Sequence, residues 1–369
     1  MVRITSLLLF FGFCLGLRAQ GLSPNDFQPT INRVMEKERI PGLAIAVLID
    51  GKLVYESGFG IRRLGTTERV DAHTVFQAAS ITKVLTALVM GKLVEHGKLK
   101  WSDRVIKHLP KLALSDSYVT ENLTIADLLA FRCGILEGDA LLGTRKEILS
   151  KLPNLRVTNS FRAVQGSFNL GYTLAGLLEE QIFLQPYEMI VSQELLAPLG
   201  MSESHVYLDA ARKVSNRATP HIEVEGKVSP TEWTDFEQYA PAACLISNVH
   251  DLSKLAELIL NRGIVKGKPL LRPSTLTTME RPAAIMDDFW KPLLNPKAEF
   301  MATGLGFLVS DYRGYKLVEM DGAAAGSSNT MTLIPSAKLG VIIQANKDMV
   351  FDGLVEIKFK ILDQLLALK

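Results

Sequence analysis

Segments with the pattern of β-strands lie near both ends of this chain, and segments with helical periodicity occupy its middle. Residues 41–60 contain two apolar runs separated by Asp50-Gly51, a dipeptide typical of β-hairpin turns. Further strand patterns fall between residues 303 and 346, before an amphipathic helix at the C terminus. This order predicts one α+β domain in which both groups of strands share an antiparallel sheet flanked by helices, with a helical region inserted between them.

Length and composition restrict the functions that are open to the chain. Its 369 residues are 47% hydrophobic, which is enough for a sizeable core. The formal net charge is +2, with acidic and basic residues mixed throughout, so the sequence does not predict a nucleic-acid-binding surface. We predict an α/β part at residues 20–97 and 241–369, and a helical insertion at residues 98–240.

The first twenty residues resemble a secretory signal. Arg3 precedes an apolar run of about fourteen residues, which is too short to span a bilayer, and the small residue Ala19 follows it. We expect residues 1–19 to be removed and the mature chain, without a membrane span, to be secreted or periplasmic; the alternative is a buried N-terminal helix. The mature chain would retain Cys133 and Cys244, for which buried free thiols are favoured over a disulfide.

The segment QAASITKVLT, residues 77–86, places Ser80 and Lys83 among residues that are otherwise mostly apolar. Apolar residues fall on every face of the helix predicted over residues 77–96, so the helix should be buried on all sides. A buried lysine is unfavourable unless its ammonium group has partners. Ser80 and Lys83 are three residues apart, and a helix places their side chains next to each other.

This pair has the chemistry of a nucleophile and its base. A serine hydroxyl is a weak nucleophile until a neighbouring group removes its proton. Burial and the positive end of a helix both disfavour the lysine cation, which predicts a lowered pKa and a base function for Lys83. The backbone N–H groups at the helix start could also stabilise the negative charge that develops during attack on a carbonyl. Ser80 and Lys83 are therefore our candidate catalytic residues.

Several motifs in this order resemble the serine β-lactamase and penicillin-binding-protein superfamily, in particular its class C-like branch of β-lactamases, esterases and D-amino-acid peptidases. The resemblance runs from about residue 30 to 350 and rests on these segments: FQAASITKVLTALVMGKLVEHGKL, LTIADLLAFRCGI, FNLGYTLAGLLEE, ELLAPLGMSES, PAACLISNVHDLSKL and TGLGFLV. It implies the β-lactamase/transpeptidase-like fold and an acyl-enzyme on Ser80, with no cofactor.

Two of the three motifs of this branch are altered. The second motif is normally Tyr-x-Asn, but here it reads Ser167-Phe168-Asn169. The resemblance implies that Ser167 relays a proton and that Asn169 holds Lys83 or the substrate. The alternative is that these three residues form a polar loop without a catalytic role. The third motif normally begins with Lys or His, and here it reads Met320-Asp321-Gly322.

In the third motif, the resemblance implies that Gly322 lets its strand approach the substrate and that Met320 contacts the substrate. The N–H of Ala323 would pair with that of Ser80 as an oxyanion hole. Without the cation that accompanies a substrate carboxylate, we expect a small-molecule or short-peptide substrate that is a neutral ester or amide, and poor action on penicillins.

Other kinds of site have little support in the sequence. The chain has no Gly-x-Ser-x-Gly pentapeptide and no nucleotide-binding loop. Its six histidines are scattered without the spacing of a metal motif, so we predict no metal site. The main alternative to a hydrolase is a binding protein that keeps the fold and has lost turnover.

Overall fold

The computed structural model describes residues 23–134, 144–155, 160–162, 169–286 and 291–367. Its strands are β1 Gly42–Ile49, β2 Lys52–Gly60, β3 Phe76–Gln77, β4 His221–Val224, β5 Lys227–Pro230, β6 Ile246–Ser247, β7 Ile264–Val265, β8 Lys268–Pro269, β9 Ala284–Ile285, β10 Met301–Thr303, β11 Leu308–Tyr312, β12 Tyr315–Ala324, β13 Ser327–Ile334 and β14 Leu339–Ala345.

The α-helices in the same parts of the chain are α1 Pro24–Lys37, α2 Thr82–Glu95, α3 Val105–His108, α4 Ser117–Asn122, α5 Ile125–Leu129, α6 Ile148–Lys151, α7 Leu170–Phe183, α8 Tyr187–Val191, α9 Ala197–Leu199, α10 Leu208–Arg212, α11 Ala240–Ala243, α12 Val249–Leu260, α13 Pro273–Met279, α14 Lys291–Leu294 and α15 Phe351–Ala367. Within these described elements, none is long and apolar enough to cross a membrane.

Strands from both ends of the chain form one eight-stranded antiparallel sheet, in the order β2-β1-β14-β13-β12-β11-β10-β9. The β1–β2 hairpin turns at Asp50 and Gly51, which both have positive φ angles, as a tight hairpin turn requires. Arg313 and Gly314 form the same kind of turn between β11 and β12. The prediction of an α+β fold with a shared antiparallel sheet is confirmed.

Helices cover both faces of the sheet. On β1, Leu43, Ile45 and Val47 pack with α1 and α15, while Ala44, Ala46 and Leu48 belong to the larger core that contains α2 and α12. Alternate residues of a strand point to opposite faces, so this division follows from the strand itself. All eight residues of β1 are buried, which explains why the sequence shows a continuous apolar run there.

Helix α2 is buried on all sides, as predicted, but it begins later than residue 77. Phe76 and Gln77 pair with Ser247 and Ile246 as strand β3, and a 3-10 turn at Ala79–Ile81 precedes Thr82. The φ angle of Ala79 is 47°, which is incompatible with a right-handed helix. The predicted helix therefore cannot extend upstream of this residue. A long-range strand pairing, which has no local signature, determines where it starts.

Candidate active site

Ser80 lies in the tight turn that connects β3 to α2. Its predecessor Ala79 has a left-handed backbone conformation that is uncommon for residues other than glycine. Hydrogen bonds hold the turn on both sides: the Ala78 N–H donates to Leu245 O at 2.9 Å, and the Thr82 hydroxyl donates to Ala79 O at 2.6 Å. The backbone around Ser80 is therefore fixed by neighbouring segments.

Lys83 is 1% exposed, and its amine is surrounded by oxygen atoms. Its Nζ atom lies 2.7 Å from Ser80 Oγ, 2.9 Å from Asn169 Oδ1 and 3.1 Å from the carbonyl oxygen of Ala242. The structure thus brings together three of the predicted residues, Ser80, Lys83 and Asn169. The contact with Ala242 was not predicted, because a backbone carbonyl from α11 leaves no signal in the sequence.

Strand β12 approaches the Ser80 turn at Gly322. A Cβ atom at this position would clash with the carbonyl oxygen of Ala78 and would lie 3.2 Å from the Ser80 nitrogen. Only glycine permits this approach without displacing the turn. The Asn329 side-chain amide donates to Gln77 O at 2.9 Å and to Gly322 O at 3.2 Å, so it ties the strand to the turn.

The last residues of β12 extend beyond the end of β11, the neighbouring strand on one side. Pairing with β11 ends where Leu308 meets Glu319, whereas pairing with β13 continues to Ala324. Residues 320–324 therefore form an edge next to Ser80. Backbone groups at such an edge can hydrogen-bond a substrate.

Comparison with known proteins agrees with this geometry. The family model described as Beta-lactamase matches residues 27–360. The chain belongs to the beta-lactamase family. This is a family of serine hydrolases, and the resemblance seen in the sequence is confirmed at this level. The narrower assignment to a class C-like branch stays a prediction.

Three relatives show how far the similarity extends. Unguisins hydrolase ungD of Aspergillus violaceofuscus is 26% identical over 346 residues, which cover 87% of this chain and 61% of that protein. Penicillin-binding protein 4 of Amycolatopsis lactamdurans is 25% identical, covering 87% of this chain and 84% of that protein. The octameric penicillin-binding protein homologue from Pyrococcus abyssi has a TM-score of 0.80 at 25% identity, covering 94% of this chain and 78% of that chain. The chain thus spans 61% of the length of the unguisins hydrolase that it matches.

In this member of the beta-lactamase family, a cavity of about 470 Å³ adjoins Ser80 and Lys83. Asn169, Met320 and Ala323 also line it, so five predicted site residues face one space. Asp321 lines the same cavity. The apolar wall consists of Phe131, Met286, Leu293, Leu294, Leu308, Met320, Met349 and Phe351. Most of these residues were not identified from the sequence, because they come from segments far apart in the chain.

Asp321 is a carboxyl group in an unusual environment. Its Oδ2 atom is buried and has no hydrogen-bond partner among the described residues. Burial raises the pKa of the Asp321 carboxyl from 3.8 to about 6, against the opposing effect of the Lys358 ammonium. The charge of Glu319, two residues earlier on β12, raises that pKa further. The segment that the resemblance implies as the third motif therefore carries an acid with a raised pKa next to Met320.

The second motif is only partly visible. Ser167 lies outside the described residues, so its predicted role stays a prediction. Tyr172 is the tyrosine nearest to Asn169 in the sequence, and its ring centroid lies 5.7 Å from Lys83 Nζ. Its hydroxyl donates to Leu129 O at 2.6 Å, and burial raises its pKa. These contacts make Tyr172 a packing residue rather than a replacement for the missing tyrosine of the motif.

Other nucleophiles in the described parts of the chain are poorly placed. Cys133 and Cys244 are free thiols, as favoured from the sequence, but only Cys133 is buried and Cys244 is half-buried. Burial raises the pKa of the Cys133 thiol to about 12 and also raises that of Cys244, so neither provides a thiolate near neutral pH. His221 is buried, with Nδ1 2.9 Å from Asn346 O and Nε2 accepting the Leu64 N–H, and so has a structural role.

Proposed function

We propose that this chain is a serine hydrolase that forms an acyl-enzyme on Ser80 and acts on neutral esters or amides with an apolar acyl group. The observation that carries the proposal is the 2.7 Å contact between Lys83 Nζ and Ser80 Oγ beside an apolar cavity of about 470 Å³. A nucleophile, a base within hydrogen-bond distance and space for an acyl group are the parts that acyl transfer requires.

The contacts of Lys83 suit a neutral amine. A neutral amine has two N–H groups and one lone pair. The N–H groups can donate to Asn169 Oδ1 and Ala242 O, which leaves the lone pair for the Ser80 hydroxyl proton. In the proposed first step, Ser80 Oγ bonds to the substrate carbonyl carbon while its proton moves to Lys83.

The charge that forms on the substrate oxygen needs donors. We assign them to the backbone N–H groups of Ser80 and Ala323, and the close approach at Gly322 supports this assignment. When the intermediate collapses, the bond to the leaving group breaks and that group takes a proton, which Lys83 supplies through Ser167 in our proposal. Water then attacks the acyl-enzyme and its proton passes to Lys83. When this second intermediate collapses, the bond between Ser80 Oγ and the acyl carbon breaks, Lys83 returns the proton to Ser80 Oγ, and the acid is released.

The wall of the cavity supports the choice of substrate. A substrate carboxylate near Met320 would find no cation from the third motif and would lie close to the Asp321 carboxyl. Placing an unpaired anion there would cost several kcal/mol. An apolar acyl group would instead contact the methionine, leucine and phenylalanine side chains of the wall. Esters or amides without a carboxylate are therefore the proposed substrates.

The test compares two substrates under identical conditions. We expect a higher kcat/KM on p-nitrophenyl butyrate than on a chromogenic cephalosporin for the wild-type chain. Ser80→Ala should remove both activities, while Ser229→Ala, a serine on β5 away from the cavity, should keep them. A higher kcat/KM on the cephalosporin would overturn the substrate assignment. Covalent labelling of Ser80 without turnover of either substrate would favour the alternative, a binding protein that keeps the fold and has lost turnover. The two altered motifs would then explain the loss of turnover.

We also propose that the chain is exported, on the basis of the apolar segment and Ala19 near its N terminus. Expression of the full chain followed by N-terminal sequencing tests this directly. A mature protein that begins at residue 20 outside the cytoplasm supports export, and an intact N terminus in the cytoplasm contradicts it.

A further inference from the structure

Outside the catalytic cavity, two histidines and a glutamate from distant segments lie side by side. Glu56 belongs to β2, His73 to the loop before β3, and His250 to the first turn of α12. One ligand atom from each of the three lies within 4.8 Å of the other two. We propose that Glu56, His73 and His250 bind a divalent transition metal ion of the zinc type.

The distances within the cluster are close to those of a coordination shell. Around a tetrahedral zinc ion with bonds of about 2.0–2.1 Å, neighbouring ligand atoms are about 3.3 Å apart. His250 Nδ1 already lies 3.2 Å and 3.0 Å from the two carboxylate oxygens of Glu56. The metal would take the place of the proton that this pair shares.

His73 has its ligand atom within 4.8 Å of those of Glu56 and His250, so this atom reaches the spacing of a coordination shell by a shift of about 1.5 Å or less. Its ring lies against that of His250, with centroids 4.7 Å apart and planes inclined by 37°. The His73 side chain is 47% exposed and is not part of a packed core, so a small shift of the ring displaces no core side chain. Three ligands of this kind leave a fourth position for water.

Residues around the cluster hydrogen-bond to His73, as residues behind a histidine metal ligand usually do. Glu203 Oε2 lies 2.7 Å from His73 Nδ1, which leaves Nε2 to bind the metal. The Asn248 side-chain amide donates to the same Glu203 oxygen at 2.9 Å and to His73 O at 3.1 Å. A carboxylate behind a histidine ligand fixes the orientation of the ring and increases its basicity.

The donor set determines which metal is expected. Two imidazoles and a carboxylate suit zinc, copper, nickel and iron, whereas calcium and magnesium prefer shells of oxygen. The bound ion would join β2, the loop that leads to β3 and the start of α12, so it should stabilise the fold.

The experiment uses calorimetric titration of the full chain, first treated with chelator, with zinc chloride and with magnesium chloride. We expect one saturable zinc site, no magnesium binding, and a higher Tm with zinc. His73→Ala and His250→Ala should each weaken zinc binding at least about tenfold, and Glu203→Gln should weaken it by about 10–100-fold. The matched control is His96→Ala, because His96 is exposed at the end of α2.

His73 is the decisive position, because an exposed loop side chain can be replaced without loss of folding, which circular dichroism will verify. Loss of binding in His73→Ala together with full binding in His96→Ala supports the site. Equal binding in these two variants, or no saturable zinc binding by the wild-type chain, overturns it. This inference does not depend on the proposed hydrolase function.

Discussion

Replacing Asp321 with asparagine should stabilise the protein, and the gain should be larger at high pH. Asp321 is half-buried on β12 with its Oδ2 atom buried, and burial raises the pKa of its carboxyl from 3.8 to about 6 against the attraction of the Lys358 ammonium. Between these pH values the folded protein holds a proton that the unfolded chain has lost. The unfolded state then binds fewer protons, so the free energy of unfolding falls as pH rises through this window. Above this pH window, the carboxylate is ionised in both the folded and the unfolded state, and the full loss in the free energy of unfolding remains.

The size of the effect follows from the two pKa values. A difference of about two pKa units corresponds to roughly 3 kcal/mol at pH 8, and to roughly half of that at pH 5, where the unfolded carboxyl alone is mostly ionised. Asparagine has nearly the same shape and carries no charge, so the variant avoids this cost. Lys358 keeps its partners, because its Nζ atom lies 2.8 Å from both Glu319 Oε1 and Leu294 O.

Urea unfolding of the full chain at pH 5 and pH 8, followed by circular dichroism, measures the difference. The Asp321→Asn variant should be more stable than the wild type at both values, by about twice as much at pH 8. Asp209→Asn is the control, since the Asp209 side chain is 88% exposed. A gain that does not increase with pH, or a loss of stability at pH 8, would refute the account of Asp321 as an acid with a raised pKa in the folded state.

The remaining predictions concern the proposed reaction. Ser80→Ala should abolish turnover and labelling by a fluorophosphonate probe, read by peptide mass; unchanged hydrolysis would reject the nucleophile. Lys83→Arg should be nearly inactive in the ester assay, because a guanidinium does not deprotonate near neutral pH, and an active variant would show a purely cationic role. Ser167→Ala should slow acylation about a hundredfold in stopped-flow measurements, whereas a loss below about threefold would argue against proton transfer. Gly322→Val should lower kcat/KM by about a hundredfold or more, because its side chain would push β12 away from Ala78, and wild-type activity would contradict the oxyanion assignment.

Local patterns in the sequence were sufficient for much of the fold. The Asp50-Gly51 turn, the capping box of Thr124 and Asp127 and the buried character of α2 all depend on residues close together in the chain. The neighbouring positions of Ser80 and Lys83 follow from their spacing of three residues in the same way. Each of these features was predictable because the interaction that produces it is local.

Features built from distant segments were not predictable. The start of α2 depends on the pairing of Phe76 with Ser247, and the cavity wall combines Phe131 with residues near 290, 320 and 350. Likewise, His73 and His250 are 177 positions apart, so their contact has no motif spacing, and the prediction that the chain has no metal site rested on spacing alone. Such contacts are set by how the sheet and helices pack.

The altered third motif bears on substrate choice more than on the acylation step. The groups that would act on the carbonyl are Ser80, Lys83 and backbone N–H groups, and the N–H groups depend on the turn at Ala79 and the clearance at Gly322. A left-handed residue costs about 1–3 kcal/mol, and the hydrogen bonds around it keep it in place. Met320, where the resemblance implies a cation in other members, changes none of these contacts, because they involve other atoms. The loss of the cation should therefore reduce binding of carboxylate-bearing substrates, while the rate of Ser80 acylation by a neutral ester is retained. Single-turnover kinetics with both substrate types separates these effects: slow acylation by the neutral ester would show that the active-site geometry alone is insufficient for catalysis.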